Sequence, residues 1–110
     1  MANTFKRYAS RNIGTSAVAI GSYTVGASTQ TTLIGLSVAN KHANTITVDV
    51  EHYDGANATK LVQDAPVPAG GSLVVVGADQ KVVLETGDSV RVTSNEPTSC
   101  DVLMSLLEIT

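Results

Sequence analysis

The stretch that decides the fold is Thr45-Ile46-Thr47-Val48-Asp49-Val50-Glu51-His52-Tyr53, near the middle of the 110-residue chain. Apolar and polar residues alternate along it, so that Ile46, Val48 and Val50 point to one side and their polar neighbours to the other. A period of two residues is typical of a β-strand with one face in a core and one face in water. The stretch therefore predicts a half-buried strand.

The alternation recurs on both sides of this stretch. Residues 32–39 repeat it and place Ile34, Leu36 and Val38 on one face, and residues 89–93 repeat it with two valines. Because the side-chain period of a strand is two, each of these segments also predicts a strand with a single buried face.

Turn-forming residues separate the apolar segments. Asp54-Gly55 directly after the central strand is a hairpin signal. Two prolines and then Gly70-Gly71 break the chain before an apolar run at 73–76, and residues 77–80 separate that run from another at 82–84. These turn-forming residues therefore predict several short strands.

The run that ends the sequence, residues 102–109, is apolar on both faces. One face carries Val102, Met104 and Leu106, and the other carries Leu103, Leu107 and Ile109. A strand that is apolar on both sides either lies centrally in a sandwich or contacts another subunit.

Short strands at intervals of roughly ten residues indicate a β-sandwich or barrel. No segment shows an amphipathic helical stripe of useful length, and the earliest part, residues 15–25, favours an edge strand or an extended arm. The fold class is predicted as all-β, a single antiparallel sandwich of the jelly-roll or immunoglobulin-like type, with an N-terminal arm at 1–12 and the body at 13–110.

Composition and charge narrow the function. The chain is one domain long, and only 15% of its residues are charged, which suits a surface partly covered by neighbours. Three of the seven basic residues are Lys6, Arg7 and Arg11, and the remainder carries four bases against ten acids. A basic arm on an acidic body can dock on an acidic neighbour, such as a copy of itself. One short basic cluster makes a poor track for phosphates and does not predict nucleic-acid binding, and no apolar run is long enough for a membrane helix.

The densest group of potential ligands is Asp49, Glu51, His52 and Asp54. Strand geometry puts His52 on the face opposite Asp49 and Glu51, so no metal site is expected. The single cysteine, Cys100, excludes an internal disulfide and is expected to be buried and inert. No nucleotide-binding loop and no catalytic arrangement is present, so neither a cofactor nor enzymatic activity is expected.

Several stretches follow one another in a characteristic order. They are Met1-Ala2-Asn3-Thr4-Phe5-Lys6, Asn12-Ile13-Gly14-Thr15-Ser16, Leu33-Ile34-Gly35-Leu36-Ser37-Val38-Ala39-Asn40, Ala65-Pro66-Val67-Pro68-Ala69-Gly70-Gly71-Ser72-Leu73, Gln80-Lys81-Val82-Val83-Leu84-Glu85-Thr86-Gly87-Asp88-Ser89-Val90 and Ser105-Leu106-Leu107-Glu108-Ile109. This order, over nearly the whole chain, resembles small virion structural proteins of tailed bacteriophages and cyanophages. The resemblance implies a β-sandwich used many times in one particle, as capsid decoration (cement) or at the neck or tail, and it brings no catalytic residues.

The expected partners are therefore copies of the chain, as a trimer or ring, and the major capsid protein or other virion proteins. The location is the virion, assembled in the host cytoplasm. The residues expected at these contacts come from the arm and the last strand: Phe5, Lys6, Arg7, Tyr8, Arg11, Leu103, Leu107 and Ile109. A carbohydrate-binding or adhesion sandwich is the alternative, but such sites usually present exposed aromatic rings, and the chain has no Trp and only three Tyr.

Overall fold

A computed structural model of the chain describes residues 3–77 and 81–110. Two antiparallel sheets face each other, one of five strands and one of four. The strands are β1 (Asn3–Ile13), β2 (Val18–Ala19), β3 (Gln30–Asn40), β4 (Ile46–Tyr53), β5 (Ala58–Val67), β6 (Ser72–Val76), β7 (Val82–Leu84), β8 (Ser89–Ser94) and β9 (Cys100–Ile109). The only helical element among the described residues is a 3₁₀ turn at Ile20–Ser22. The predicted all-β class is confirmed.

The order of the strands defines the topology. The larger sheet, called sheet A, runs β1-β9-β3-β6 with β7 also on β3, and the smaller sheet B runs β2-β8-β4-β5. Successive strands cross between the sheets everywhere except at the β4–β5 hairpin and along β6 and β7. This wrapping is that of a jelly roll, in which two Greek keys close a double sheet. Of the two sandwich types expected from the sequence, the jelly roll is the one observed.

Strands β6 and β7 form one interrupted strand. Val76 of β6 pairs with Leu36 of β3, and Val82 of β7 pairs with Leu33, three residues away on the same strand β3. The two apolar runs that the sequence separates therefore lie end to end beside β3 and do not form a hairpin. Residues 78–80 of the predicted separator lie outside the described residues.

The segment expected to be an N-terminal arm is a strand over its described residues. β1 pairs with β9 in an unbroken antiparallel register from Asn3 to Ser10, and a register shift separates Ser10 from Ile13. The expected boundary between an arm at 1–12 and a body at 13–110 therefore falls inside β1. Sequence alternation did not reveal this strand because most of its side chains are exposed on both faces.

The core lies between the two sheets. Val48, Val50 and Val92 are fully buried, as the alternation of β4 and β8 predicts. In β3 the register shifts between Leu33 and Gly35. This β-bulge puts Leu33 in the core in place of Ile34, which the alternation had placed there.

Candidate interaction surfaces

The outer face of sheet A, turned away from the core, carries two apolar rows that run across its strands. The upper row follows the pairing of Phe5 with Leu107, of Leu107 with Thr32 and of Thr32 with Val83. Directly paired residues of neighbouring strands share a face, so these four side chains stand side by side. Phe5 is 76% exposed and Val83 is 65% exposed.

The lower row lies four residues from the upper row along β1 and β9, and five along β3 because of its bulge. It follows the pairing of Ala9 with Leu103, of Leu103 with Ser37 and of Ser37 with Val74. Val74 is 66% exposed and Leu103 is 47% exposed. Together the two rows contain four of the five large apolar side chains that are exposed among the described residues.

Hollows lie beside the rows. Between the two rows, Ser105 pairs with Arg7 on one side and with Gly35 on the other. Because Ser105 is small and Gly35 has no side chain, a depression lies there, which Phe5 and Ile34 also line. A second depression lies below the lower row, over Ala39 and Asp101. The outer face of sheet A therefore has two ridges of mainly apolar side chains, with Arg7 and Asp101 at the depressions beside them.

The residues expected at contacts divide between the two faces of sheet A. Phe5, Arg7, Leu103 and Leu107 lie on the outer face, and Ile109 continues that face at the pairing with Asn3. Arg11 is exposed at the register shift of β1. Burial alone would raise the pKa of the nearby Asp101 carboxyl group, but the Asn12 amide, Lys41 and, to a smaller extent, the charge of Arg11 lower it.

Lys6 and Tyr8 point to the inner side of β1 and are engaged within the chain. The Lys6 ammonium lies 2.9 Å from the carboxylate of Glu108, and the Tyr8 ring stacks on Tyr23 with centroids 4.5 Å apart. The Tyr23 hydroxyl donates to Glu108 at 2.6 Å and also contacts the Thr31 hydroxyl at 2.8 Å. Burial and the bond to Glu108 raise the pKa of Tyr23 to about 12.

The outer face of sheet B is built differently, around a carboxylate. Glu51 accepts a hydrogen bond from Arg91 Nε at 2.7 Å and one from Lys60 Nζ at 3.1 Å. Lys60 also reaches Asp49, and the Arg91 guanidinium lies 3.7 Å from the centroid of the Tyr53 ring. The charges of this face are therefore satisfied by one another.

The four potential metal ligands of the sequence are not brought together. His52 Nε2 lies 2.8 Å from Asp88 Oδ2, Glu51 is occupied by Arg91 and Lys60, and Asp54 accepts the amides of Ala56 and Asn57 in its own turn. Within residues 3–77 and 81–110, no group of three or more His, Cys, Asp or Glu side chains could hold a metal ion. Cys100 is a free, buried thiol whose pKa is raised by that burial.

Comparison with known proteins gives weak likenesses. No family model and no curated protein matches the sequence. A solved pentameric capsid protein from metagenomic phage sequences covers 92% of this chain at 20% identity with a TM-score of 0.44, and a second such structure covers 89% at 17% identity with a TM-score of 0.37. The chain spans 59% and 60% of the length of those two proteins. In the described part of the chain, no helix has the length and apolar character needed to cross a membrane.

Proposed function

We propose that the chain is a non-enzymatic structural subunit of a phage virion, and specifically a decoration (cement) subunit that packs against the shell and against its own copies. The observation that carries this proposal is the pair of apolar rows on the outer face of sheet A. The resemblance of the sequence to small virion structural proteins is the reason for proposing a phage virion as the particle.

The rows support packing because side chains such as Phe5, Val74 and Val83 stand exposed in register on one sheet. Contiguous exposed apolar patches mark interaction sites more often than scattered apolar residues do. Removing such a surface from water contributes roughly 25 cal/mol for each Å² of apolar area. The neighbouring hollow over Ser105 gives the surface relief into which the side chains of another sheet can fit.

The contrast between the two sheets indicates which face packs. On sheet B, Glu51, Lys60 and Arg91 neutralise one another and cover the strands with charged groups. Such a face has its charges already paired within the chain and presents little apolar area to bury. The apolar outer face of sheet A is the one that gains from being covered.

The arrangement of the aromatic rings argues against the adhesion alternative. Tyr23 is buried, Tyr8 stacks on it, and the Tyr53 ring is covered by Arg91. Phe5 is the one aromatic ring left widely exposed among the described residues. Sugar-binding platforms need exposed rings with a polar surround, which this arrangement does not offer.

Self-association is tested by native mass spectrometry and sedimentation velocity of the purified chain. We expect a trimer or a larger ring, and we expect Leu103→Asp to shift the population to monomer because it places a charge in the lower row. Thr59→Asp, on an exposed position of β5, is the control and should leave the assembly unchanged. If the Leu103→Asp variant forms the same oligomer as the wild type, the outer face of sheet A is not the contact between copies.

The position in the particle is tested by immunogold electron microscopy of virions of the phage that encodes the chain. Label spread over the capsid is expected for a decoration subunit. Label confined to one vertex or to the tail would establish the neck or tail alternative, and absence of the chain from purified virions would refute a virion role.

A further inference from the structure

The edges of the two sheets are protected unequally. Sheet B ends in β2, which is two residues long, and in β5, which contains Pro66, two register shifts and a positive φ at Asp64. One edge of sheet A is the interrupted strand β6 and β7. Short strands, prolines, bulges and charged side chains are the devices by which proteins keep sheet edges from pairing with other chains.

The remaining edge, β1, has only the last of these devices over most of its length, and its basic side chains do not oppose pairing with an acidic strand. Its register with β9 is regular from Asn3 to Ser10, it contains no proline, and residues 3–7 are exposed. In the described part of the chain, the backbone of residues 3–11 makes no hydrogen bond other than those of its ladder with β9. Half of its amide and carbonyl groups therefore point away from the sheet and can accept an added strand.

A second copy of β1 fits poorly as that strand. Lys6, Arg7 and Arg11 lie on β1, and an antiparallel pairing centred on Ala9 would set Arg7 of each copy against Arg11 of the other. Registers that avoid this contact leave Arg7 without an acidic partner, because β1 contains no acid. Lys6 is already held by Glu108, whereas Arg7 has no ion pair among the described residues. The strand that best matches the positive charge of this edge is therefore an acidic one.

The side chains define the partner more narrowly. An added antiparallel strand would place one residue opposite Arg7 and, two positions later in its own sequence, another opposite Phe5, at Cβ separations of about 5 Å. The first position favours Asp or Glu, and the second favours an apolar residue that covers the exposed Phe5 ring. The fitting pattern is therefore acidic-x-apolar.

The other edge strands of this chain do not supply that pattern. β2, β6 and β7 contain no acidic residue, and the one acid of β5, Asp64, is followed two positions later by Pro66, which has no N–H to donate. A second copy therefore offers no matching edge among the described residues.

We infer that the free edge of β1 is a strand-addition site that takes an extended acidic-x-apolar segment of a different virion protein. The inference rests on the proposed function, because the partner is taken from the same particle. It assigns the two contacts to adjoining surfaces: the apolar rows of sheet A to copies of the chain and the shell surface, and the β1 edge to a strand from the partner, with Phe5 at the boundary between them.

The first experiment is amide hydrogen–deuterium exchange of the chain, measured free in solution and in purified virions. We expect those amides of residues 3–7 that point away from β9 to exchange rapidly in the free protein and to become protected in the particle, because strand addition gives them an acceptor. Equal exchange of residues 3–7 in both states would overturn the inference while leaving the virion role intact. If the protection of residues 3–7 already increases with the concentration of the free protein, the added strand comes from a second copy of the chain. That result would also overturn the inference. Absence of the chain from virions would remove the proposed function together with this partner.

The second experiment measures how much of each variant enters virions when it is expressed during infection. Arg7→Glu should enter at a level at least about tenfold lower than wild type, and Arg7→Lys should stay within about twofold, because the lysine keeps the charge. The matched control changes both Thr59 and Gln63 to Glu. These residues lie on β5, the edge strand of sheet B, and the double substitution lowers the net charge by as much as Arg7→Glu does. Arg7→Glu entering at the wild-type level, or a control that is lost to the same degree, would contradict a specific role for β1.

Discussion

Gly21 shows how closely β1 is packed against the 3₁₀ turn. Its φ is +61°, and a Cβ atom built there would lie 2.6 Å from the Cβ of Tyr8. The backbone amide of Gly21 also donates to the Ser10 hydroxyl at 2.7 Å. Glycine is therefore required at this position both for its backbone conformation and for the space that it leaves.

Gly21→Ala is expected to lower the free energy of unfolding by about 3 kcal/mol, because left-handed backbone strain adds to a steric clash. The matched control is Gly55→Ala, where φ is +98° but no atom lies within 4 Å of the added Cβ. The control measures backbone strain alone and should cost about 1–2 kcal/mol. Urea denaturation of both variants gives the comparison, and equal losses would show that contact with Tyr8 does not matter.

Tyr23→Phe is expected to lower the free energy of unfolding by about 1–2 kcal/mol near neutral pH, because Thr31 and Glu108 lose a partner. The pKa of Tyr23 is raised to about 12 in the folded chain, so the neutral phenol stabilises the fold. That contribution is present below the ordinary tyrosine pKa of about 10 and is lost as the pH rises toward the folded value.

The difference between wild type and Tyr23→Phe should therefore shrink at alkaline pH when both are unfolded in urea. Tyr53→Phe is the control, since its hydroxyl donates only to the Gly55 carbonyl at an exposed site. A difference that stays constant between about pH 8 and about pH 11 would contradict this account.

At the scale of elements, Glu51 ties three strands of sheet B together, because it lies on β4 and binds Lys60 of β5 and Arg91 of β8. Burial alone would raise the pKa of Glu51, but the hydrogen bonds and charges of Arg91 and Lys60 outweigh it and hold that pKa below its ordinary value. A lowered carboxyl pKa stabilises the fold above the unfolded value, near pH 4.3, and the stabilisation is lost as the pH falls through the folded value.

Glu51→Gln is expected to lower the free energy of unfolding by about 2 kcal/mol near pH 7. The gap to wild type should narrow at about pH 3, where the wild-type carboxyl group takes up a proton. Chemical denaturation at the two pH values measures both effects. A gap that is the same at the two pH values would show that the charge of Glu51 does not stabilise sheet B.

Strands with one buried face or a continuous apolar run could be predicted from the sequence, and the exposed edge strands β1 and β5 could not. The alternation of β4 and β8 indicated their core valines, and Asp54-Gly55 indicated the hairpin. β5 was missed because most of its side chains are exposed and Pro66 signalled a break, although an edge strand tolerates proline.

The candidate surface was predicted only in part. The period of two put Leu103 and Leu107 on the face of the last strand opposite Val102, and in the structure that face is the outer one. Val74 and Val83 were not expected there. They join the rows through their pairing with β3, and that register depends on a β-bulge and on an interrupted strand that no local pattern specifies.

At the scale of the whole molecule, the two proposed contacts depend on different forces. The rows of sheet A would associate mainly by burying apolar surface, whereas the β1 edge would combine backbone hydrogen bonds with the charge of Arg7. Salt screens interactions between exposed charges and does not weaken apolar burial. Ionic strength therefore separates the two contacts.

Raising NaCl from about 0.05 M to about 0.5 M shortens the screening length from roughly 14 Å to roughly 4 Å. Sedimentation velocity of the free chain should then show the same oligomer or a larger oligomeric fraction, because the rows carry few charges. Exchange at residues 3–7 in salt-equilibrated virions should increase over the same range, because the attraction between Arg7 and an acidic strand is screened. Dissociation of the free oligomer by salt would contradict apolar packing through sheet A, and exchange at β1 that is insensitive to salt would contradict an acidic partner strand.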